Sequence, residues 1–144
     1  MEQRISVVTL GVRDLERSRR FYAALGWRGQ EVEETVFFQA LGQAVVLWSR
    51  ERLAADAGVE DDGTGFGGVV LAHNVRTRGD VDGVVRRAAA AGATVTREPA
   101  ETFYGGYAGC FRDLDGHVWE VAWNPGLPLD DAGALTVPTW GDPG

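Results

Sequence analysis

Short apolar runs of strand character alternate along this chain with stretches whose apolar positions recur at helical spacing, and the sequence of changes occurs twice. Residues Ile5 to Val12 (ISVVTLGV) are β-branched and apolar between Arg4 and Arg13, the pattern of a mostly buried strand. Asp14 then has the character of a helix N-cap. Leu15, Phe21, Tyr22 and Leu25 fall on one helical face, and Gly26 supplies a stop. Trp27 to Glu33, Thr35 to Ala40 and Ala44 to Arg50 read as three short strands. Glu51 to Ala57 reads as one or two helical turns, and the acidic, Gly-rich stretch Gly58 to Gly68 is expected to be irregular.

The pattern then restarts. Val69 to Val75 predicts a second buried strand, Asp80 a second N-cap, and Val81, Val84, Val85, Ala88 and Ala91 a second apolar stripe ending at Gly92. Thr94 to Arg97, Tyr107 to Arg112 and His117 to Trp123 supply three more strands. Asp14 to Asp80 and Gly26 to Gly92 are both offsets of 66, which points to a duplication. Val12 to Val75 is an offset of 63, so three extra residues are assigned to the second strand-to-helix loop. The reading is one domain over residues 1–144: a first module at about 4–50, a connector at 51–68, a second module at about 69–124 and a tail at 125–144. The expected turn in the tail is Asp130 to Gly133.

Composition narrows the chemistry. All 14 basic residues are Arg, so Schiff-base chemistry, lysine-anchored pyridoxal phosphate and a phosphate loop ending in Lys are excluded. A net charge of -7 repels phosphate backbones, which argues against nucleic acid as a partner. No apolar run approaches the roughly 18 to 20 residues of a membrane span. With the single cysteine, Cys110, unable to form an internal disulfide, the expected setting is cytoplasmic. No serine lies in a G-x-S-x-G elbow, and GTGFGG at 63–68 has the wrong spacing for a dinucleotide fingerprint.

The segment LGVRDLERSRRFYAALGW (10–27) resembles the opening of vicinal oxygen chelate proteins, the superfamily of glyoxalases, extradiol dioxygenases and bleomycin-resistance proteins. FRDLDGHVWEVAW (111–123) is similar to the last strand pair of the same superfamily, an Asp-x-Asp-Gly turn before a strand carrying Glu. The resemblance spans about residues 4–124. It implies an α+β fold of two tandem βαβββ modules, forming a curved mixed sheet around a cleft, in a chain that pairs as a homodimer. It also implies metal donors on the first and last strands of each half. Those positions fall on Val7, Val70, Leu47 or a close neighbour, and Glu120. Only Glu120 carries a donor, and a lone carboxylate is a poor transition-metal site, so no metal and no cofactor are expected.

Strand alternation then assigns faces. With Glu120 turned to the cleft, Val118 and Ala122 follow it, while Trp119, Val121 and Trp123 pack beneath the helices. Thr9 and Asn74 are expected in the cleft and His73 in the core. His117 is expected to be exposed or to cap its turn, and Phe38 and Trp48 to be core residues. The Gly-rich aromatic stretch ETFYGGYAGC offers Phe103, Tyr104 and Tyr107 to a flat ligand, and Phe66 is a lid or an anchor in the connector. Glu120 has two readings, a structural salt bridge to an Arg or a ligand-binding group. Two functions follow: a metal-free cup for a small planar or apolar molecule, or a lyase, isomerase or dioxygenase of this superfamily in which Glu120 acts as general base.

Overall fold

The computed structural model describes residue 3 and residues 7–57, 60–62, 66–67 and 69–136. Arg4, Ile5 and Ser6, expected to open the first strand, and part of the Gly58 to Gly68 connector, expected to be irregular, lie outside these residues. Strand β1 (Val7–Val12) leads into α1 (Leu15–Ala24), then β2 (Gly29–Val32), β3 (Thr35–Ala40), β4 (Gln43–Ser49) and α2 (Arg50–Ala57). The second series is β5 (Val70–Asn74), α3 (Arg78–Ala90), β6 (Thr94–Glu101), β7 (Tyr107–Arg112) and β8 (Val118–Trp123). The strands form two mixed sheets in orders β1-β4-β3-β2 and β5-β8-β7-β6. In each, the first and last strands of the module are parallel and the remaining neighbours antiparallel. This is the α+β architecture of two βαβββ modules that the sequence pattern predicts.

The Asp14 side chain accepts a hydrogen bond from Arg17 N at 2.9 Å, and Gly26 ends α1 in the left-handed region at φ 96°. The second helix differs from expectation. Its cap is Thr77, whose hydroxyl accepts from Asp80 N at 3.1 Å while the Asp80 carboxylate accepts from Thr77 N at 3.0 Å. Asp80 is thus the third helical residue of a capping box, and the three extra residues of the second module lengthen the helix, not the loop before it. The C-terminal ends keep equivalent hydrogen bonds, Trp27 N to Tyr22 O and Ala93 N to Ala88 O, so the offset of 66 holds along the helix backbones.

Both sheets turn one face to a shared core. Leu10, Val12, Phe38 and Leu47 of the first sheet and Phe111, Trp119 and Val121 of the second are buried there with Phe21, Tyr22, Val81, Val85 and Ala88. Trp27 joins the halves: its ring lies 5.2 Å from that of Phe38 and 5.7 Å from that of Trp119. Burying side chains of this size stabilises by about 1.5–3 kcal/mol each. The other face of each sheet therefore looks away from the core. Trp48, expected inside, stands on that outer face with Val46, because alternation from the buried Leu47 sends it there.

The turn between β7 and β8 ties the modules together. Asp113, 6% exposed, accepts from Tyr22 Oη at 2.6 Å, from the backbone N of Asp115 and His117 at 2.9 Å each, and lies 2.8 Å from His117 Nδ1. Trp119 Nε1 donates to Tyr22 Oη at 3.2 Å. Asp115 accepts from Ser18 Oγ at 2.7 Å and from Arg13 N at 2.9 Å. Burial by itself would raise the Asp113 carboxyl, but the hydrogen bonds and charge of His117, with the Tyr22 hydroxyl, outweigh it and hold the group below the usual carboxylate range. Burial, then the Asp113 charge, pushes the Tyr22 phenol far above its ordinary value. The Asp-x-Asp-Gly motif and the Phe-Tyr motif are therefore two ends of one buried latch.

Candidate functional site

The outer face of the second sheet carries Glu120 in the middle of β8, directly between Ala72 on β5 and Cys110 on β7. Cys110 is in turn opposite Arg97 on β6, after a register shift that follows Val95. Arg97 reaches across and donates to Glu120 Oε2 at 2.9 Å, with side-chain exposures of 52% and 31%. A pair this open to water contributes at most about 1 kcal/mol. Glu120 Oε1 takes no hydrogen bond among the described residues. Burial pushes the Cys110 thiol up, with the Arg97 charge opposing and Glu120 reinforcing, so the thiolate needed of a nucleophile is disfavoured. Ala72 leaves a shallow floor beside the carboxylate.

The expected site residues divide among several places. Asn74, half-buried, shares the outer face with Glu120, since it pairs with Ala122 on the same alternation. Thr9 is on the outer face of the first sheet, opposite Val46, and the shared core separates it from Glu120. Tyr107 faces α3 instead, where its hydroxyl donates to Asp82 at 2.9 Å and Arg78 sits over its ring. The alternation that puts Cys110 and Ala108 outward puts Tyr107 inward with Trp123. Phe103 is fully exposed at the β6–β7 loop, its ring edge-on to Tyr104 at 5.3 Å. Phe66 is exposed in the connector, away from any described partner ring. His117 closes the latch turn, as one of its two expectations had it: its backbone N donates to Asp113 Oδ1 and its Nδ1 lies 2.8 Å from Asp113 Oδ2.

At the positions where the resemblance implies metal donors, Val7 and Val70 are half-exposed on the outer faces. Leu47 turns to the core, leaving Val46 or Trp48 as its outward neighbours. Among the described residues no three of His, Cys, Asp and Glu come together to hold an ion. Glu120 is the one donor of the set.

A groove of about 1480 Å³ runs between the modules, beside α3 and the end of β5, and sequence reasoning did not anticipate it. Its walls are the β3–β4 hairpin with Trp27 and Arg28, the end of β5, one face of α3 at Gly79, Gly83 and Arg87, and the tail around Leu129 and Leu135. His73 is here. It is exposed on the groove wall, not buried in the core, because α3 packs over β6, β7 and β8 and leaves this part of β5 open to the groove. Of the expected site residues only Asn74 borders this groove.

A family model for the Glyoxalase/Bleomycin resistance protein/Dioxygenase superfamily matches residues 4–121, and the chain belongs to that superfamily. A glyoxalase-related enzyme from Fulvimarina pelagi is 37% identical with a TM-score of 0.88, over 95% of this chain and 99% of that one. The hypothetical protein SA1046 from S. aureus is 29% identical at a TM-score of 0.74, over 85% and 94%. A glyoxalase/bleomycin resistance protein/dioxygenase family enzyme from Burkholderia phytofirmans PsJN, 23% identical at 0.72 over 81% and 95%, shares the fold. A search of curated proteins finds no match. Among the described residues no helix is long and apolar enough to cross a membrane.

Proposed function

We propose that this protein is a metal-free, cytoplasmic binding member of its superfamily that holds a small planar or apolar molecule against the outer face of the second sheet, in a cup completed by a second copy of the chain. The observation that carries the reading is the pair of open half-cups. The outer faces of the two sheets point away from one core, and their first strands, β1 and β5, each have one edge without a ladder partner among the described residues. Those edges expose Val7, Val69 and Val70 at 50%, 64% and 48%. An apolar free edge invites pairing with another strand. Joining the β1 edge of one copy to the β5 edge of its partner would set Thr9, Phe37 and Trp48 across from Glu120, Cys110 and Asn74. The apolar side chains at Val7, Trp48 and Val70 favour ligand contact over metal coordination.

The test combines three measurements on the purified full chain: metal content, mass in solution and a thermal-shift ligand screen. Expected are a dimer, no stoichiometric metal and a ligand that at 100 times its dissociation constant adds about 2.7 kcal/mol of stability. Stoichiometric Ni, Zn, Fe or Mn would sink the reading, as would a monomer at millimolar concentration. An enzymatic alternative has one observation in its favour, the free Oε1 of Glu120, which is placed to accept a proton from a bound substrate. Under it Glu120→Gln abolishes turnover and leaves ligand affinity nearly unchanged; under the binding reading the same variant weakens affinity.

A further inference from the structure

The two helices are equivalent along their backbones and meet opposite surroundings. In the first module Arg17, Ser18 and Phe21 dock on the β7–β8 turn and the core. At the offset of 66 these positions become Gly83, Val84 and Arg87, and all three border the groove. The turn they would dock on, Leu41 and Gly42 between β3 and β4, is too short to reach them. The groove is the space where the second docking contact is missing.

Its polar groups are unequally occupied. Arg76 Nη2 donates to the carbonyls of Asp130 and Asp131 at 2.7 and 3.1 Å, holding the tail as one wall. Asp80 is committed to the capping box. Arg28 and Arg87 have no hydrogen bond or ion pair among the described residues, in a chain of net charge -7. A Cβ built on Gly83 would come no nearer to any side chain than 4.0 Å from Arg87 Nη1, so that guanidinium lies by bare helix backbone. No packing demand explains Gly83, which weakens an interior helix position. Partial loss of water around its ring, with the Arg87 charge, lowers the His73 pKa, leaving a neutral imidazole able to donate and accept. Trp27, Phe38, Val84 and Leu135 add apolar wall.

We propose that this groove is a second binding site, for a small organic oxyanion (a carboxylate or phosphate monoester on an apolar body), anchored by Arg87 and Arg28 with His73 beside them. A planar guanidinium matches carboxylate and phosphate oxygens in a two-point contact, and an unpaired one facing a cavity has its charge available for that. The ligand body lies over Gly83 against the apolar wall. The groove exceeds the roughly 300–1,000 Å³ of a typical ligand site, so such a molecule fills part of it.

Calorimetric titration of the full chain with benzoate, phenyl phosphate and neutral benzamide tests this. Both anions, or one of them, bind and benzamide does not, and added salt weakens the binding. Arg87→Ala lowers affinity about 10-fold or more, the loss of one charge-assisted contact. Arg28→Ala lowers it less, and Arg20→Ala, which does not line the groove, leaves it unchanged. Gly83→Leu removes binding while the circular dichroism stays as in the wild type. Equal affinity in Arg87→Ala and Arg28→Ala, binding of benzamide as tight as of benzoate, or no binding of either anion at millimolar concentration overturns the proposal.

Discussion

The helix of the first module rests on a turn that grips it, whereas the helix of the second faces a turn too short to do so. Residues 113–117 connect β7 to β8 and put two carboxylates under Ser18 and Tyr22, while Leu41 and Gly42 connect β3 to β4 and leave a groove in front of Gly83 and Arg87. Strand order, helix stops and parallel pairing are the same in both halves. The backbone frame is thus shared by both halves while the docking contact is made only once, and the half without it faces open, charged space. The same contrast holds on the outer faces: the first sheet offers Val7, Thr9 and Trp48, the second Arg97, Cys110 and Glu120. Chemistry is concentrated in the second module and anchoring in the contact between the two.

The largest expected effect breaks the gripping turn. Asp113→Ala strands the Tyr22 hydroxyl, two backbone N–H groups and His117, and should remove about 3 kcal/mol or more from the unfolding free energy in urea at neutral pH. A loss under 1 kcal/mol would mean that the turn does not anchor α1. Next is the acid limb of stability. The folded Asp113 pKa is below the usual 3.8, so its pairing contributes fully above that value and is lost as the pH falls through the lowered one. Melting temperature followed from about pH 6 to about pH 2 should therefore drop less steeply in Asp113→Asn than in the wild type.

Removing the caps compares the two frames where they should be equal. Asp14→Ala and Thr77→Ala are each expected to cost about 1 kcal/mol. A markedly unequal pair of costs would show that one helix is held by its docking alone. The smallest effect falls on the outer face: Glu120→Gln breaks only an exposed pair with Arg97 and should change stability by less than about 1 kcal/mol. If it destabilises by several, Glu120 is a structural residue and the ligand reading loses its carboxylate.

Much of the frame was legible. The periods along ISVVTLGV and VWEVAW, Asp14 as a cap, and Gly26 and Gly92 as stops depend on near neighbours in the chain, and local physics settles them. The side-chain alternation that placed Glu120 outward and Trp119 inward was legible for the same reason. Trp48 was not, because every residue from Ala44 to Trp48 is apolar and an unbroken apolar run has no readable phase. Asp80 looked like a cap because the acidic residue of a capping box and a true N-cap share the same residue types; Thr77, three positions earlier, was the distinguishing signal.

The sequence by itself determined the two-module frame, the family resemblance and the absence of donors at Val7 and Val70, all properties of residues read in order along the chain. Only the tertiary structure decided that Arg97 meets Glu120, that Asp113 meets Tyr22, 91 residues away, and that Arg28 and His73 border one groove with Arg87. Each of these depends on where two separate modules come to rest against a common core. That placement is set by the packing of Trp27, Phe38 and Trp119, and no local pattern records it.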